Sequence, residues 1–324
     1  KLCNPNVEHL RDLYTELEFR NQLQSLDHPN NPHRSSDQQT AQSIVKAAPS
    51  AEVVVTEDHA QLSSQDDQLG TATYHTVLTQ SDWDALLKRM QHADHFAIDT
   101  ETTHLDYRVA QLVGFSVALD AQDAYYVPVA HDYEGAPEQL NRDQLLAQIK
   151  PILENPAVKK IGHHLKYDAH IFANHGIELQ GWYFDSMLAS YVLNAAATRH
   201  GMDDVARLYL SHLTTTFEQI AGKGAKQKSF NQIELDVAAH YAAEDAHVTY
   251  RLYEVLAAKL EPWPELLNIL HNIEMPVARI LTEMEENGIK LDHQFLDQLS
   301  VECAENIQNL ENQIIEIAGE SFNV

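Results

Sequence analysis

A short apolar run that ends in two acids, one residue apart, constrains this chain more than any other feature. The run from Phe96 to Ile98 favours a buried β-strand, and Asp99 and Glu101 follow directly. Because side chains on a strand alternate between its faces, both carboxylates should project to the same side. Two carboxylates held so close repel each other, and a divalent cation with oxygen ligands would offset their charge. Taken alone, the stretch is equally compatible with a solvated acidic loop.

Charge limits how the chain could meet a polyanion. The 324 residues carry a formal net charge of −26, which argues against binding phosphates along a broad basic surface. It leaves open a site where metal ions and a few local Lys and Arg side chains meet the phosphates. Cys3 and Cys303 lie near opposite ends and indicate no disulfide framework. We see no signal peptide and no apolar run that would cross a bilayer, so we expect a cytoplasmic protein with no membrane partner.

The chain divides into a globular body and two different flanks. Residues 27–71 are rich in Ser, Gln, Asp, Pro and Asn, which predicts a flexible linker. Residues 72–264 mix strand and helix patterns, with three successive strands as an antiparallel meander and a long helix over about 235–260. This pattern predicts an α/β domain, a mixed sheet flanked by helices. Residues 265–324 have a one-sided apolar stripe and predict a C-terminal helical hairpin.

Three local signals make sharper predictions. Ser81, with Asp84 three residues on, is typical of a helix start. The segment 213–230, with its glycines and lysines, predicts a loop, and Gly319 is placed to end the last helix.

Two further acidic sites lie downstream of the first. Asp168 follows a predicted strand, and by itself it would most simply be an acid on a helix surface. Tyr241 and Asp245 are four residues apart, which places them on one face of a helix, one turn apart. That pair alone would most simply be a half-buried Tyr beside a solvated Asp.

The three sites together, in this order and spacing, resemble the tyrosine-bearing branch of the DEDD exonuclease superfamily. The chain from about residue 72 is similar in particular to the proofreading 3′→5′ exonuclease domains of the bacterial DNA polymerase I family. The similarity includes Tyr-Val-Pro-Val-Ala-His-Asp-Tyr at 126–133, Leu-Lys-Tyr-Asp at 165–168 and Tyr-Ala-Ala-Glu-Asp-Ala at 241–246. It implies a ribonuclease H-like fold for residues 72–264.

The resemblance also implies what surrounds this domain. Residues 1–26 would be the end of a 5′-nuclease domain, and residues 265–324 would be the start of a polymerase thumb, without palm or fingers. The remaining polymerase domains would be partners in cis. We expect a monomer associated with the nucleoid, which removes mispaired 3′-terminal nucleotides during replication and repair synthesis.

The resemblance assigns roles to the acids and the tyrosine. Asp99, Glu101 and Asp245 would bind one divalent metal, and Asp99 and Asp168 would hold a second. The ions would be Mg²⁺ or Mn²⁺, and they would clamp the attacking and leaving oxygens of an in-line displacement. Tyr241 and Glu101 would orient the attacking water, and the product would be a nucleoside 5′-monophosphate.

Substrate contacts follow from the same resemblance. Leu105, Tyr167 and Phe217 match positions that pack against the terminal bases of a single-stranded or frayed 3′ end, and Arg199 matches a basic residue near the scissile phosphate. The chain departs from the family where His163-His164 replaces the usual Gln-Asn. His164 could replace the Asn contact to the terminal nucleotide with a hydrogen bond, or this His pair could hold Zn²⁺.

Two alternatives to a DNA exonuclease remain open at this point. One is a DNA-binding or structural module with weakened catalysis. The presence of all four acids and the tyrosine argues against it. The other is an RNase D-like exonuclease that acts on RNA with the same acids, against which the thumb-like tail argues.

Overall fold

The computed structural model describes residues 69–320. The expected nuclease end at 1–26 and nearly all of the expected linker lie outside the described residues. The described part contains six strands: β1 Thr73–Thr76, β2 His95–Thr102, β3 Leu112–Ala118, β4 Asp123–Pro128, β5 Lys159–Gly162 and β6 Trp182–Asp185.

Ten α-helices join these strands or follow them in the described part. They are α1 Gln80–His92, α2 Arg142–Leu153, α3 Leu165–Ala173, α4 Ser186–Leu193, α5 Met202–Leu210, α6 Phe217–Ala221, α7 Leu235–Leu260, α8 Pro264–Ile269, α9 Met275–Asn287 and α10 His293–Ala318. Two 3₁₀ turns, Gly224–Lys226 and Phe230–Gln232, precede α7, and the π-helical segment Leu270–Glu274 joins α8 to α9.

The strands form one mixed sheet in the order β1-β4-β3-β2-β5-β6. β2, β3 and β4 pair antiparallel in sequence order, which confirms the predicted meander. β1 pairs parallel with β4, while β5 and β6 extend the sheet in parallel on the other side of β2. The acidic strand β2 is therefore an inner strand with a partner on each side. The predicted α/β, ribonuclease H-like mixed sheet flanked by helices is confirmed.

The sheet is covered on both faces, since every residue of β3 is buried. Trp83 of α1 meets Phe115 of β3 edge to face, with ring centroids 6.1 Å apart. α7 contacts β2, β3 and β4. Small side chains let this helix lie close to the strands, because buried alanines recur along it at Ala238, Ala239, Ala242, Ala243 and Ala246. This close approach carries the middle of α7 to the end of β2.

Some local predictions differ from the structure. α1 begins one residue before Ser81, and Thr79 is its cap, accepting a hydrogen bond from the Asp82 N–H. The predicted loop 213–230 contains the short helix α6, held by a capping box between Thr216 and Gln219. β6 was not predicted, because its sequence, Trp-Tyr-Phe-Asp, is short and has no polar alternation. The long helix was predicted within a residue or two of its observed ends.

The C-terminal helices are present as predicted, and Gly319 ends α10 in a left-handed conformation, with φ of 74°. Pro276 follows the π-helical segment closely, and its missing N–H accounts for the local change in hydrogen bonding. α9 packs against α3 and β6, whereas α10 buries none of its side chains. Within residues 69–320, no helix combines the length and the apolar character that crossing a membrane would need.

Candidate active site

The end of β2 carries the first two acids, and Asp99 is half-buried whereas Glu101 is buried. Glu101 is 8 % exposed and pairs with Gly114 of β3, and the register shifts immediately afterwards at Thr102. Gly114 is required here, because a Cβ at this position would lie 2.4 Å from the hydroxyl oxygen of the buried Tyr126. The sheet therefore holds Glu101 in a tightly packed position next to an aromatic ring.

α7 brings the third acid to the same place. One carboxylate oxygen each from Asp99, Glu101 and Asp245 lies within 4.8 Å of the others. Alternation of side chains on β2 places Asp99 and Glu101 on one side, and the packing of α7 against β2 adds Asp245. The four-residue spacing on α7 places Tyr241 on the same helix face as Asp245. Tyr241 is half-buried, and its hydroxyl lowers the pKa of Asp245 against the larger, opposing effects of burial and of neighbouring carboxylates.

Asp168 lies next to this cluster but is bound differently. It is 2 % exposed, and its Oδ1 accepts hydrogen bonds from the Thr100 N–H at 3.0 Å and from the Thr100 hydroxyl at 2.6 Å. Thr100 sits between the two acids of β2 and faces the other way, towards α3. The structure thus locks Asp168 to the backbone of the acidic strand.

The four acids are electrostatically frustrated. Burial raises the pKa of Asp99 to about 7. Burial, followed by the negative charge of neighbouring carboxylates, raises the pKa values of Glu101, Asp168 and Asp245 well above their usual range. Within residues 69–320, no Lys or Arg is among the groups that shift these pKa values, so the described side chains do not supply the positive charge that this cluster needs at neutral pH.

The donor set fits a hard divalent cation. All three clustered groups are carboxylates, which Mg²⁺ and Mn²⁺ prefer. Glu101 Oε1 is buried and has no hydrogen-bond partner among the described residues, so this oxygen keeps an unused capacity to bind a cation or a donor. His163 and His164 do not belong to the metal-compatible group found in residues 69–320. His163 Nδ1 instead lies 2.8 Å from the Ser186 hydroxyl.

An aromatic wall stands beside the acids. The Phe217 ring at the start of α6 lies 6.4 Å from the Tyr241 ring, and both rings contact the buried Phe230. Glu244 fixes the chain just before this wall, accepting from His212 Nε2 at 3.0 Å and from the Thr215 N–H at 2.9 Å.

Three of the other predicted substrate residues follow β2 or β5, and the fourth, Arg199, lies elsewhere. Leu105 is 90 % exposed on the loop after β2. The Tyr167 hydroxyl lies 2.7 Å from Thr102 Oγ1 and donates to the His104 carbonyl at 2.8 Å. His164 is exposed and left-handed, with φ of 68°, and its ring stacks on that of Tyr167. Arg199 is exposed on the loop between α4 and α5.

One organising residue was not singled out from the sequence. Asp185, at the end of β6, accepts hydrogen bonds from the backbone N–H groups of His164, Leu165, Met187 and Leu188. It therefore caps two helices, α3 and α4, and so fixes the helix that carries Asp168. Its position just before an apolar helical segment is a capping signal that the sequence did contain.

Comparison with known proteins gives the family of the chain. A family profile described as 3′-5′ exonuclease matches residues 74–261. The chain belongs to the DNA polymerase I 3′-5′ exonuclease family.

Relatives of this family cover the chain at appreciable identity. DNA polymerase I of Pseudomonas aeruginosa is 43 % identical over 322 residues, which is 99 % of this chain and 32 % of that protein. DNA polymerase I of Rhizobium leguminosarum is 38 % identical over 245 residues, 70 % of this chain and 24 % of that protein. The chain thus spans about a third or less of the length of these curated relatives.

A solved structure shares the fold. It is the POL domain of Pol1 from M. smegmatis in complex with a DNA primer-template and dNTP. Its TM-score is 0.61 at 23 % identity, over 78 % of this chain and 38 % of that one.

Proposed function

We propose that this chain is a metal-dependent 3′→5′ DNA exonuclease that removes mispaired 3′-terminal nucleotides during replication and repair synthesis. The main observation behind the proposal is the cluster of three carboxylates, in which one oxygen from each lies within 4.8 Å of the others. In addition, a buried oxygen of Glu101 has no hydrogen-bond partner among the described residues. Membership of a 3′-5′ exonuclease family supports the reaction class.

The reaction is hydrolysis of the last phosphodiester. A water oxygen forms a bond to phosphorus, the bond to the 3′ oxygen of the preceding nucleotide breaks, and that oxygen takes a proton. The products are a nucleoside 5′-monophosphate and a strand one nucleotide shorter. Asp99, Glu101 and Asp245 would hold one Mg²⁺ or Mn²⁺, and Asp99 with Asp168 a second. When bound, such ions lower the pKa of a water molecule and stabilise negative charge on the attacking and leaving oxygens.

Tyr241 has the properties of a fixed hydrogen-bond donor. Burial and the negative charge of Asp245 raise its pKa far above the usual range, so its hydroxyl keeps its proton at any working pH. We assign it the orientation of the attacking water together with Glu101. Contacts with Phe217 and Phe230 hold the Tyr241 ring in place.

The proposed grip on the DNA end uses apolar and aromatic surfaces. Leu105 and Phe217 would contact the terminal bases, and stacking of this kind tolerates any base, as editing requires. Tyr167 would contribute through its ring while its hydroxyl holds the loop after β2. His164 would hydrogen-bond to the terminal nucleotide, and Arg199 would approach its phosphate.

The domain assignment is part of the proposal. Residues 72–264 would form the exonuclease domain, and the profile match over 74–261 supports this. Residues 1–26 would end a 5′-nuclease domain, 27–71 would be a linker, and 265–324 would begin a polymerase thumb. The partners would be the DNA 3′ end and the other polymerase domains in cis, in a monomer located in the cytoplasm with the nucleoid.

The test is trimming of a 5′-labelled single-stranded DNA, beside an RNA of the same sequence, in Mg²⁺, in Mn²⁺ and in chelator. We expect metal-dependent shortening of the DNA from its 3′ end. Asp99→Asn should lose this activity, whereas Asp94→Asn, an exposed acid just before the same strand, should keep it.

The other outcomes identify the alternatives. Faster trimming of the RNA would replace the proposal with an RNase D-like activity. DNA binding without shortening under any metal would replace it with a binding module.

A further inference from the structure

A buried histidine connects three parts of the chain beside the active site. His170 of α3 is 1 % exposed, and both of its ring nitrogens face carboxylates of α9. Nε2 lies 2.8 Å from Glu285 Oε2, and Nδ1 lies 2.5 Å from Glu286 Oε1. Each nitrogen of this ring therefore has a carboxylate partner on α9.

The same ring supports the loop that follows the acidic strand. The Tyr107 ring stacks on His170 with centroids 3.8 Å apart and planes 8° apart. Asn174 at the end of α3 donates to the Tyr107 carbonyl at 2.7 Å. Together with the bond from Tyr167 to the His104 carbonyl, these contacts fix both sides of exposed Leu105 to α3.

A second contact joins α3 to α9. Lys166 Nζ lies 2.5 Å from Glu285 Oε1, on the same carboxylate that His170 engages. Lys166 and His170 of α3 thus meet Glu285 and Glu286 of α9, with both carboxylates only partly exposed. Ion pairs that are partly shielded and share a partner constrain geometry more strongly than isolated surface pairs.

We propose that His170 is a positioning residue through which α9 sets the loop 103–111 for binding the DNA 3′ end. Glu285 and Glu286 hold the imidazole, the imidazole supports Tyr107, and Tyr107 holds the segment that carries Leu105. The loop would contribute substrate contacts and contains none of the four site acids, so this coupling acts on substrate affinity more than on the chemical step. The effect on DNA trimming rests on the function proposed above, whereas the effect on the loop does not.

The experiment measures the effect on DNA trimming and the effect on the loop separately, with two readouts on the whole chain. The first is steady-state trimming of single-stranded DNA, resolved into KM and kcat. The second is hydrogen–deuterium exchange of the loop amides without DNA. The variants are the pair Glu285→Gln with Glu286→Gln, then His170→Phe, which keeps an aromatic ring against Tyr107 but loses both hydrogen bonds. Glu283→Gln is the matched control, an exposed acid on the same helix.

The glutamine pair should raise KM at least about fivefold, the lower end of typical coupling effects, with kcat changed less than about twofold. Loop exchange should become faster in the same variant and stay unchanged in Glu283→Gln. In the His170→Phe background the glutamine pair should have no further effect on loop exchange, because the contact that remains, Lys166 with Glu285, involves no residue of the loop.

Additive effects of His170→Phe and the glutamine pair on loop exchange would overturn the proposal. Unchanged loop exchange in the glutamine pair would also overturn it. A wild-type chain that trims no DNA would contradict the proposed function alone, since the exchange measurement would still decide whether His170 transmits the position of α9.

Discussion

Replacing one acid of the cluster should stabilise the metal-free protein. Burial raises the pKa of Asp99 from 3.8 to about 7 in the folded state. Between these two values the folded chain holds a proton that the unfolded chain has released. The free energy of unfolding therefore falls as pH rises from about 4 to about 7, and stays low above that. A rise of about three pH units, at about 1.4 kcal/mol for each unit, is worth about 4 kcal/mol.

Asp99→Asn removes this cost while keeping nearly the same shape. In chelator at about pH 8, we expect the variant to exceed the wild type by up to about 4 kcal/mol, or a rise in Tm of about 10 °C for a domain of this size. Below about pH 7 the gain should shrink by about 1.4 kcal/mol per unit, because the wild-type carboxyl then keeps its proton. Added Mg²⁺ should also reduce the difference in the free energy of unfolding between the variant and the wild type, because it stabilises the wild type.

The assay is urea unfolding from about pH 5.5 to 8.5, and the sequence pI of about 4.9 sets its lower end. Asp94→Asn is the control, since it makes the same chemical change outside the cluster and should shift stability little at any pH. If Asp99→Asn were no more stable than the wild type at pH 8 in chelator, the cluster would not be frustrated, and the argument for a cation would lose its energetic basis.

Three further outcomes follow from the site. Tyr241→Phe should lower kcat about 100-fold with a near-normal urea midpoint, as expected for the loss of a positioned hydroxyl, and a kcat near that of the wild type would remove its assigned role. His164→Asn should leave Tm unchanged, because Asn tolerates the left-handed backbone, and should lower KM for single-stranded DNA; a higher KM would show that the histidine suits this site better. Gly114→Ala should destabilise the fold by about 1–3 kcal/mol through its clash with the Tyr126 ring, which thermal unfolding would detect as a lower Tm.

The sequence predicted most reliably the features that repeat within one element. Strand alternation placed Asp99 and Glu101 on one side, and helical spacing placed Tyr241 above Asp245. Both rules depend only on local backbone geometry, so no knowledge of the remaining chain was needed. The long helix and the meander were predicted for the same reason.

Contacts between distant segments could not be obtained in this way. The sequence contains a signal for Asp185 as the cap of α4, which follows it directly, but none for its bonds to the start of α3, 20 residues earlier. His170 meets Glu285 across 115 residues, and nothing in either neighbourhood indicates the other. Such pairs depend on how α3 and α9 pack, which is decided by the whole apolar core and not by either segment alone.

The family resemblance treats the four acids as one group of metal ligands. In the structure they differ in which of their oxygens have hydrogen-bond partners. Asp168 Oδ1 accepts two hydrogen bonds from Thr100, 68 residues away in sequence, and neither bond involves a metal ligand other than Asp168 itself. Glu101 Oε1 has no partner among the described residues. Removal of metal should therefore be felt first at Glu101, which must take up a proton or turn, while Asp168 keeps its place. In this arrangement Asp168 serves as a fixed reference on β2, and Glu101 is the acid whose position most directly reflects whether a cation is bound.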